Sequence, residues 1–225
     1  MSLLSSIRIY KPWRTPMIDL YTWSTPNGRK VSIMLEEIGL PYKVIAIDIG
    51  SGDQHDDEFV AISPNHKIPA IVDHDASLSM MESGAILLYL ANKTGKFLSS
   101  EKSIYWQQLQ WLMYQMGQVG PMLGQAHHFL KFNRGKSEYS EQRYHGETSK
   151  VYAILDLRLS QHEFLAGGYS VADIAIWPWI SRYDYHQMNL HEFPNLKRWY
   201  LQIAARPAVQ RGYGVPEKLP VPIPE

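Results

Sequence analysis

The chain has 225 residues, 45% hydrophobic and 20% charged, enough to bury a sizeable core in one large domain or two small ones. Its 22 Lys and Arg balance 22 Asp and Glu with no basic block, which excludes a nucleic-acid binder that works by neutralising phosphates. No apolar run is long enough to cross a bilayer, and the lack of cysteine excludes a disulfide scaffold, a Cys-type zinc site, a thiol nucleophile and a CxxC redox pair.

Residues 1–16 mix apolar and basic side chains without the apolar centre of a signal peptide. They read as a short extension of a cytoplasmic protein, so Asn92-Lys93-Thr94 carries no glycan. Ile18-Asp19-Leu20-Tyr21-Thr22 predicts a first strand. After the turn Thr25-Pro26-Asn27-Gly28, Val31, Met34, Leu35 and Ile38 recur at helical spacing, and Gly39 with Pro41 stops that helix. Residues 42–47 form a second strand, parallel to the first because a helix intervenes. A loop at Gly50-Ser51-Gly52-Asp53-Gln54 leads to a weak helix near residues 57–62. Residues 70–73 and 78–81, joined by a short polar link, suit an antiparallel hairpin, and Glu82-Ser83-Gly84 opens a helix to about residue 92. The order β-α-β-α-β-β-α is that of a thioredoxin-like domain.

Beyond Gly95 the strand signal fades. Leu109, Leu112, Met113 and Met116 hold helical spacing within residues 101–129, where Gly120-Pro121 is placed to bend the helix. Val151, Ile154 and Leu155 mark another helix. Ser170-Val171-Ala172-Asp173 has the capping-box layout before an apolar run at 174–180, a folding device, and Phe193-Pro194-Asn195 starts a last helix to about residue 205. The tail carries four prolines and is expected to run extended over the surface. The predicted organisation is an extension at 1–16, a thioredoxin-like domain at 17–95, a helical domain at 101–213 and a proline-rich tail at 214–225.

Thr25-Pro26-Asn27-Gly28, Ser63-Pro64-Asn65-His66-Lys67-Ile68-Pro69-Ala70-Ile71, Glu82-Ser83-Gly84-Ala85-Ile86 and Ser170-Val171-Ala172-Asp173 stand in the order and spacing of a glutathione transferase. With Gly120-Pro121-Met122-Leu123-Gly124-Gln125-Ala126-His127-His128-Phe129 added, the chain resembles the bacterial nu class of that family, whose members are glutathione-dependent disulfide-bond reductases. Over residues 17–213 the resemblance implies an α/β thioredoxin-like domain with a cis-proline, followed by an all-α C-terminal glutathione transferase domain. It also implies a homodimer with glutathione as co-substrate, a disulfide or electrophilic small molecule as partner, and no metal.

Thr25 as N-cap with Pro26 in the first turn leaves the Asn27 and Gly28 amides pointing outward, an anion site at a helix start. A glutathione thiol placed there would ionise more readily beside the Thr25 hydroxyl and the Asn27 side-chain amide, which makes these the candidate catalytic residues. The turn alone reads more often as a plain helix cap. Lys67-Ile68-Pro69 alone reads as a trans proline at a strand start. The resemblance instead makes that bond cis and pairs the Ile68 backbone with the cysteinyl unit of glutathione. It assigns Glu82 to the γ-glutamyl ammonium and Ser83 to its carboxylate, where sequence alone reads equally as a helix cap. Gln54 and Lys67 would take the other end of the peptide. Arg143 matches a glutathione contact of nu-class relatives, although a helical arginine is usually a solvated one.

His127 and His128 diverge by about 100° on a helix and cannot share a metal; they line the acceptor pocket or pack. Gly50-Ser51-Gly52 lacks the third glycine of a dinucleotide fingerprint. No tyrosine occupies the catalytic position of the alpha, mu and pi classes, and threonine is the weaker acid, so disulfide exchange ranks above conjugation. Glutathione conjugation or peroxidase activity, and a non-catalytic glutathione-binding regulatory module, are the alternatives.

Overall fold

Ile18, Leu20 and Thr22 alternate with half-buried neighbours along β1 (Ile18–Thr22), the period-two pattern of a strand with one sealed face. The computed structural model describes residues 17–224, so the extension read at residues 1–16 lies outside the described residues. β1 is central in a four-stranded sheet of order β2-β1-β3-β4. β2 (Tyr42–Ala46) runs parallel to it, β3 (Ala70–Asp73) runs antiparallel to it, and β4 (Leu78–Met81) pairs antiparallel with β3 as its hairpin partner.

The crossover from β1 to β2 is α1 (Pro26–Ile38). It starts on the Thr25 cap and stops at Gly39, whose φ of 75° suits a residue without a Cβ. The short α2 (Asp57–Val60) stands where the weak helix was expected, a 3-10 turn (Asp53–His55) occupies the end of the loop before it, and α3 (Ser83–Thr94) closes the predicted order.

In the helical half, α4 (Lys102–Tyr114) passes through a π segment (Gln115–Val119) into α5 (Gly120–Ala126), and a second π segment (His127–Phe132) follows. Pro121 has no N–H to bond back along the helix, and just before it the Gly120 amide reaches the Gln115 carbonyl in a wider turn. α6 (Glu138–Gln161) is the longest element, and α7 (Val171–Ile180) is buried at every position, as expected of a helix apolar on all sides. α8 (Pro194–Ala204) is not the last helix: α9 (Pro207–Tyr213) follows it, which corrects the sequence reading. Seven residues are too few to display an apolar period, and α9 is held by close approach. A Cβ on Gly212 would lie 2.6 Å from the Ile33 Cα. The tail after α9 is irregular and is tied to α8 where the Tyr200 hydroxyl donates to the Pro222 carbonyl at 2.5 Å.

Candidate active site

A cleft opens between the sheet and the helical half, in two connected parts of about 340 and 620 Å³. Asn27, Lys67, Ile68 and Trp179 line both parts. The smaller part is closed by Lys30, Glu82, Ser83, Gln115 and Met116, and the larger by Thr25, Gln54, His127, Arg182 and Tyr185.

The wall begins at the start of α1. Thr25 has extended backbone angles and its Oγ1 accepts the Gly28 amide at 3.2 Å. The Gly28 amide is therefore engaged by the cap rather than free as expected, while the Thr25 hydroxyl keeps its proton for a ligand. Gly28 is required here, since a Cβ would collide with the Trp23 carbonyl oxygen and the Thr22 hydroxyl. Asn27 is oriented from the other domain. Trp179 Nε1–H donates to Asn27 Oδ1 at 3.2 Å, and because an indole N–H only donates, the Asn27 amino group is left as a donor for the cleft.

One turn on, Lys30 is buried, with Nζ donating to Ser83 Oγ at 3.1 Å and to Gln115 Oε1 at 2.6 Å. Burial pushes its ammonium down to about 7, with Glu82 pulling the other way. Sequence reasoning missed Lys30; its spacing of three from Asn27, one face of a helix, was the available signal. Glu82 adopts φ 70°, the left-handed region that non-glycine residues rarely occupy, and its carboxylate accepts from Asn65 Nδ2 at 3.4 Å. Asn65, in turn, is braced by the Ser63 hydroxyl at 2.8 Å. The Ile68–Pro69 bond is cis. Gln54 stands beside His66 and Lys67 at the outer wall of the larger part.

Two expected site residues are elsewhere. Arg143 is exposed on α6 and lines neither part of the cleft; its neighbour Tyr144 packs instead, stacked 5.4 Å from Phe129. His128 is also exposed, its ring facing Asn133 at 3.4 Å, because one helical step turns it away from His127. Only His127 reaches the larger part, where its Nε2 lies 2.9 Å from Nε2 of the buried His186. Burial and the charge of Arg182 push the His127 imidazole down to about 4, and burial, His127 and Arg182 push His186 well below its ordinary value. Arg182, anchored on the Ser24 carbonyl at 3.1 Å, and Tyr185 were missed because no local pattern marks the loop after α7. Among the described residues no group of three His, Asp or Glu side chains converges on a point where a metal could sit.

The geometry offers two donors at a helix start, a buried cation one turn further along that helix, and an acid at the start of α3. That set suits a small peptide with a thiol in its middle and charged ends. Comparison with known proteins agrees. Family models described as the N-terminal and C-terminal domains of glutathione S-transferase match residues 20–97 and 119–207. The disulfide-bond oxidoreductase YfcG of Escherichia coli is 48% identical over 198 residues, covering 85% of this chain and 92% of the relative. A second disulfide-bond oxidoreductase of that organism, YghU, is 39% identical over 212 residues, covering 87% and 73%. The crystal structure of a glutathione transferase from Pseudomonas putida, with one glutathione disulfide bound per subunit, superposes with a TM-score of 0.86. It is 41% identical and covers 91% of this chain and 94% of that one. With both halves matched and a relative spanned almost end to end, the chain belongs to the glutathione S-transferase family.

Proposed function

We propose that this protein is a glutathione-dependent disulfide-bond reductase of the nu class, working in the cytoplasm as a homodimer. The observation that carries the reading is the pair of donors at the start of α1. The Thr25 hydroxyl and the Asn27 amino group, the latter oriented by Trp179, face a cleft that Ile68 and Lys67 line in both its parts. Glutathione lies across that cleft. Its thiolate accepts from Thr25 and Asn27, its cysteinyl backbone pairs with Ile68 beside Pro69, and its glycyl end meets Gln54 and Lys67. The γ-glutamyl ammonium meets Glu82, and the carboxylate meets Ser83 with Lys30 behind it.

Held this way, the thiolate attacks one sulfur of a disulfide in the larger part of the cleft. A new S–S bond forms, the old one breaks, and one thiolate leaves. A second glutathione thiolate attacks the mixed disulfide, releasing glutathione disulfide and the other thiolate. Both attacking sulfurs belong to ligands, so a cysteine-free chain suffices. The names of the two Escherichia coli relatives and the glutathione disulfide in the Pseudomonas putida structure support this reading over conjugation.

The test is reduction of 2-hydroxyethyl disulfide by glutathione, coupled to glutathione reductase. Thr25→Ala and Asn27→Ala are each expected to depress turnover strongly while stability stays within about 2 kcal/mol, the range for losing a cap. Wild-type rates in both variants would overturn the site. Glutathione binding without turnover would favour a regulatory module, and turnover only with electrophilic carbon substrates would favour a conjugating enzyme.

A further inference from the structure

The larger part of the cleft also reaches, at His127, a hydrogen-bonded chain that the two-donor site does not use. The Tyr152 hydroxyl lies 2.8 Å from His186 Nδ1, and His186 Nε2 lies 2.9 Å from His127 Nε2. Tyr152 and His186 are fully buried. A buried phenol that only accepted would strand its proton, so Tyr152 donates to Nδ1 of His186. His186 must then carry its proton on Nε2 and donate it to His127, whose Nε2 is bare. The proton of neutral His127 is thereby fixed on Nδ1, which makes no hydrogen bond among the described residues. Both rings stay neutral near pH 7, because burial and Arg182 oppose their charging.

The His127 ring lies 4.8 Å from His186 in a stack tilted 16°, and 5.5 Å from Trp179, the residue that orients Asn27. Asn27 and His127 thus contact the same indole. Thiol–disulfide exchange is an in-line displacement, so the leaving sulfur departs on the side opposite the attacking one.

We propose that His127 is a further catalytic residue of the reductase, offering its Nδ1–H to the leaving sulfur of the acceptor disulfide, with His186 and Tyr152 as positioning residues that fix its tautomer. This rests on the reductase reading of the same cleft. The attacking thiolate forms the new S–S bond and the departing sulfur takes the electron pair of the broken one. His127 keeps its proton and stabilises that thiolate by a hydrogen bond until it diffuses away. A donor on the leaving sulfur matters most when that sulfur leaves poorly.

The test compares 2-hydroxyethyl disulfide, whose thiol is a poor leaving group, with cystine dimethyl ester, whose thiol is a good one. His127→Phe is expected to lower kcat on the first by roughly 10- to 100-fold, the worth of one hydrogen bond to a charged group, and on the second by a several-fold smaller factor. Tyr152→Phe removes one oxygen and leaves the ring in place; it is expected to shift the same ratio in the same direction by less. Equal losses on both disulfides, or an unchanged ratio in His127→Phe, would overturn the assignment while leaving the reductase intact. Wild-type protein inert on both disulfides would overturn the reductase reading and this inference together.

Discussion

Lys30 sets the charge balance of the cleft. Its ammonium is held down to about 7 by burial, so between that value and the ordinary 10.5 the unfolded chain is charged where the folded one is not. Stability withheld by this group is therefore greatest below pH 7 and is recovered as pH rises toward 10.5. Lys30→Met is accordingly expected to harm thermal stability less at pH 7 than at pH 9.5, and a melting-temperature difference that ran the other way would contradict the shift. Ligand binding reverses the balance, because a carboxylate beside Nζ favours the ammonium. S-methylglutathione has no thiol to ionise, so its binding at pH 8 is expected to take up a proton. Calorimetry in buffers of different ionisation enthalpy would show that uptake in the wild type and lose it in Lys30→Met, with affinity lowered roughly tenfold or more. At this scale the sequence was legible where the signal is local. The Thr25 cap and the helix starts at Pro26 and Ser83 can be read off neighbouring residues, whereas the cis bond before Pro69 reached the sequence reading only through the family resemblance. Lys30 is fixed by Ser83 and Gln115, 53 and 85 residues away, and Asn27 by Trp179, 152 residues away. No window of sequence contains those pairs.

Among the elements, α7 depends most on one side chain. Asp173 accepts from the Ser170 amide and hydroxyl, each at 3.0 Å, which completes the capping box. The same carboxylate accepts from the Leu165 amide at 3.0 Å and Trp199 Nε1 at 2.9 Å, so it also fastens α8 and the loop before α7. Burial pushes this carboxyl up to about 6 against the pull of those four donors. Asp173→Ala is expected to cost about 3 kcal/mol or more in urea unfolding, since four buried donors lose one acceptor. Asp173→Asn is expected to recover only part, because its amino group would face the Ser170 amide. A loss under about 1 kcal/mol in Asp173→Ala would show that the cap does not hold the helix. The four-residue capping pattern announced this element, and short apolar runs between turn residues announced the strands. The first π segment is different: it arises where Pro121 withdraws a donor from a helix held at Gln115 by Lys30, which a helical period alone does not reveal.

Across the whole molecule the two halves share one core. A single cluster of buried apolar side chains runs from Ile18 and Leu20 in the sheet through α1 to Trp177, Trp199 and Tyr213 in the helices. Polar ties cross the same boundary. Arg206 holds Glu37 through two nitrogens at 2.6 and 2.9 Å, and Ser32 donates to the Gly212 carbonyl at 2.6 Å. Arg29 donates to the Tyr213 carbonyl at 3.1 Å. Separately folding domains meet across smaller and wetter boundaries, so this arrangement is expected to open as one unit. Hydrogen exchange reads that directly, since amides in β1 and α7 would then exchange with the same opening free energy. The sharper test uses Gly212→Val, which places a side chain against the Ile33 backbone at the α9–α1 contact. In a shared core the damage reaches the sheet, and protection in β1 falls by the same free energy as protection in α9. Loss confined to α9 would mean that the helical end frays alone and that the sheet half stands without it.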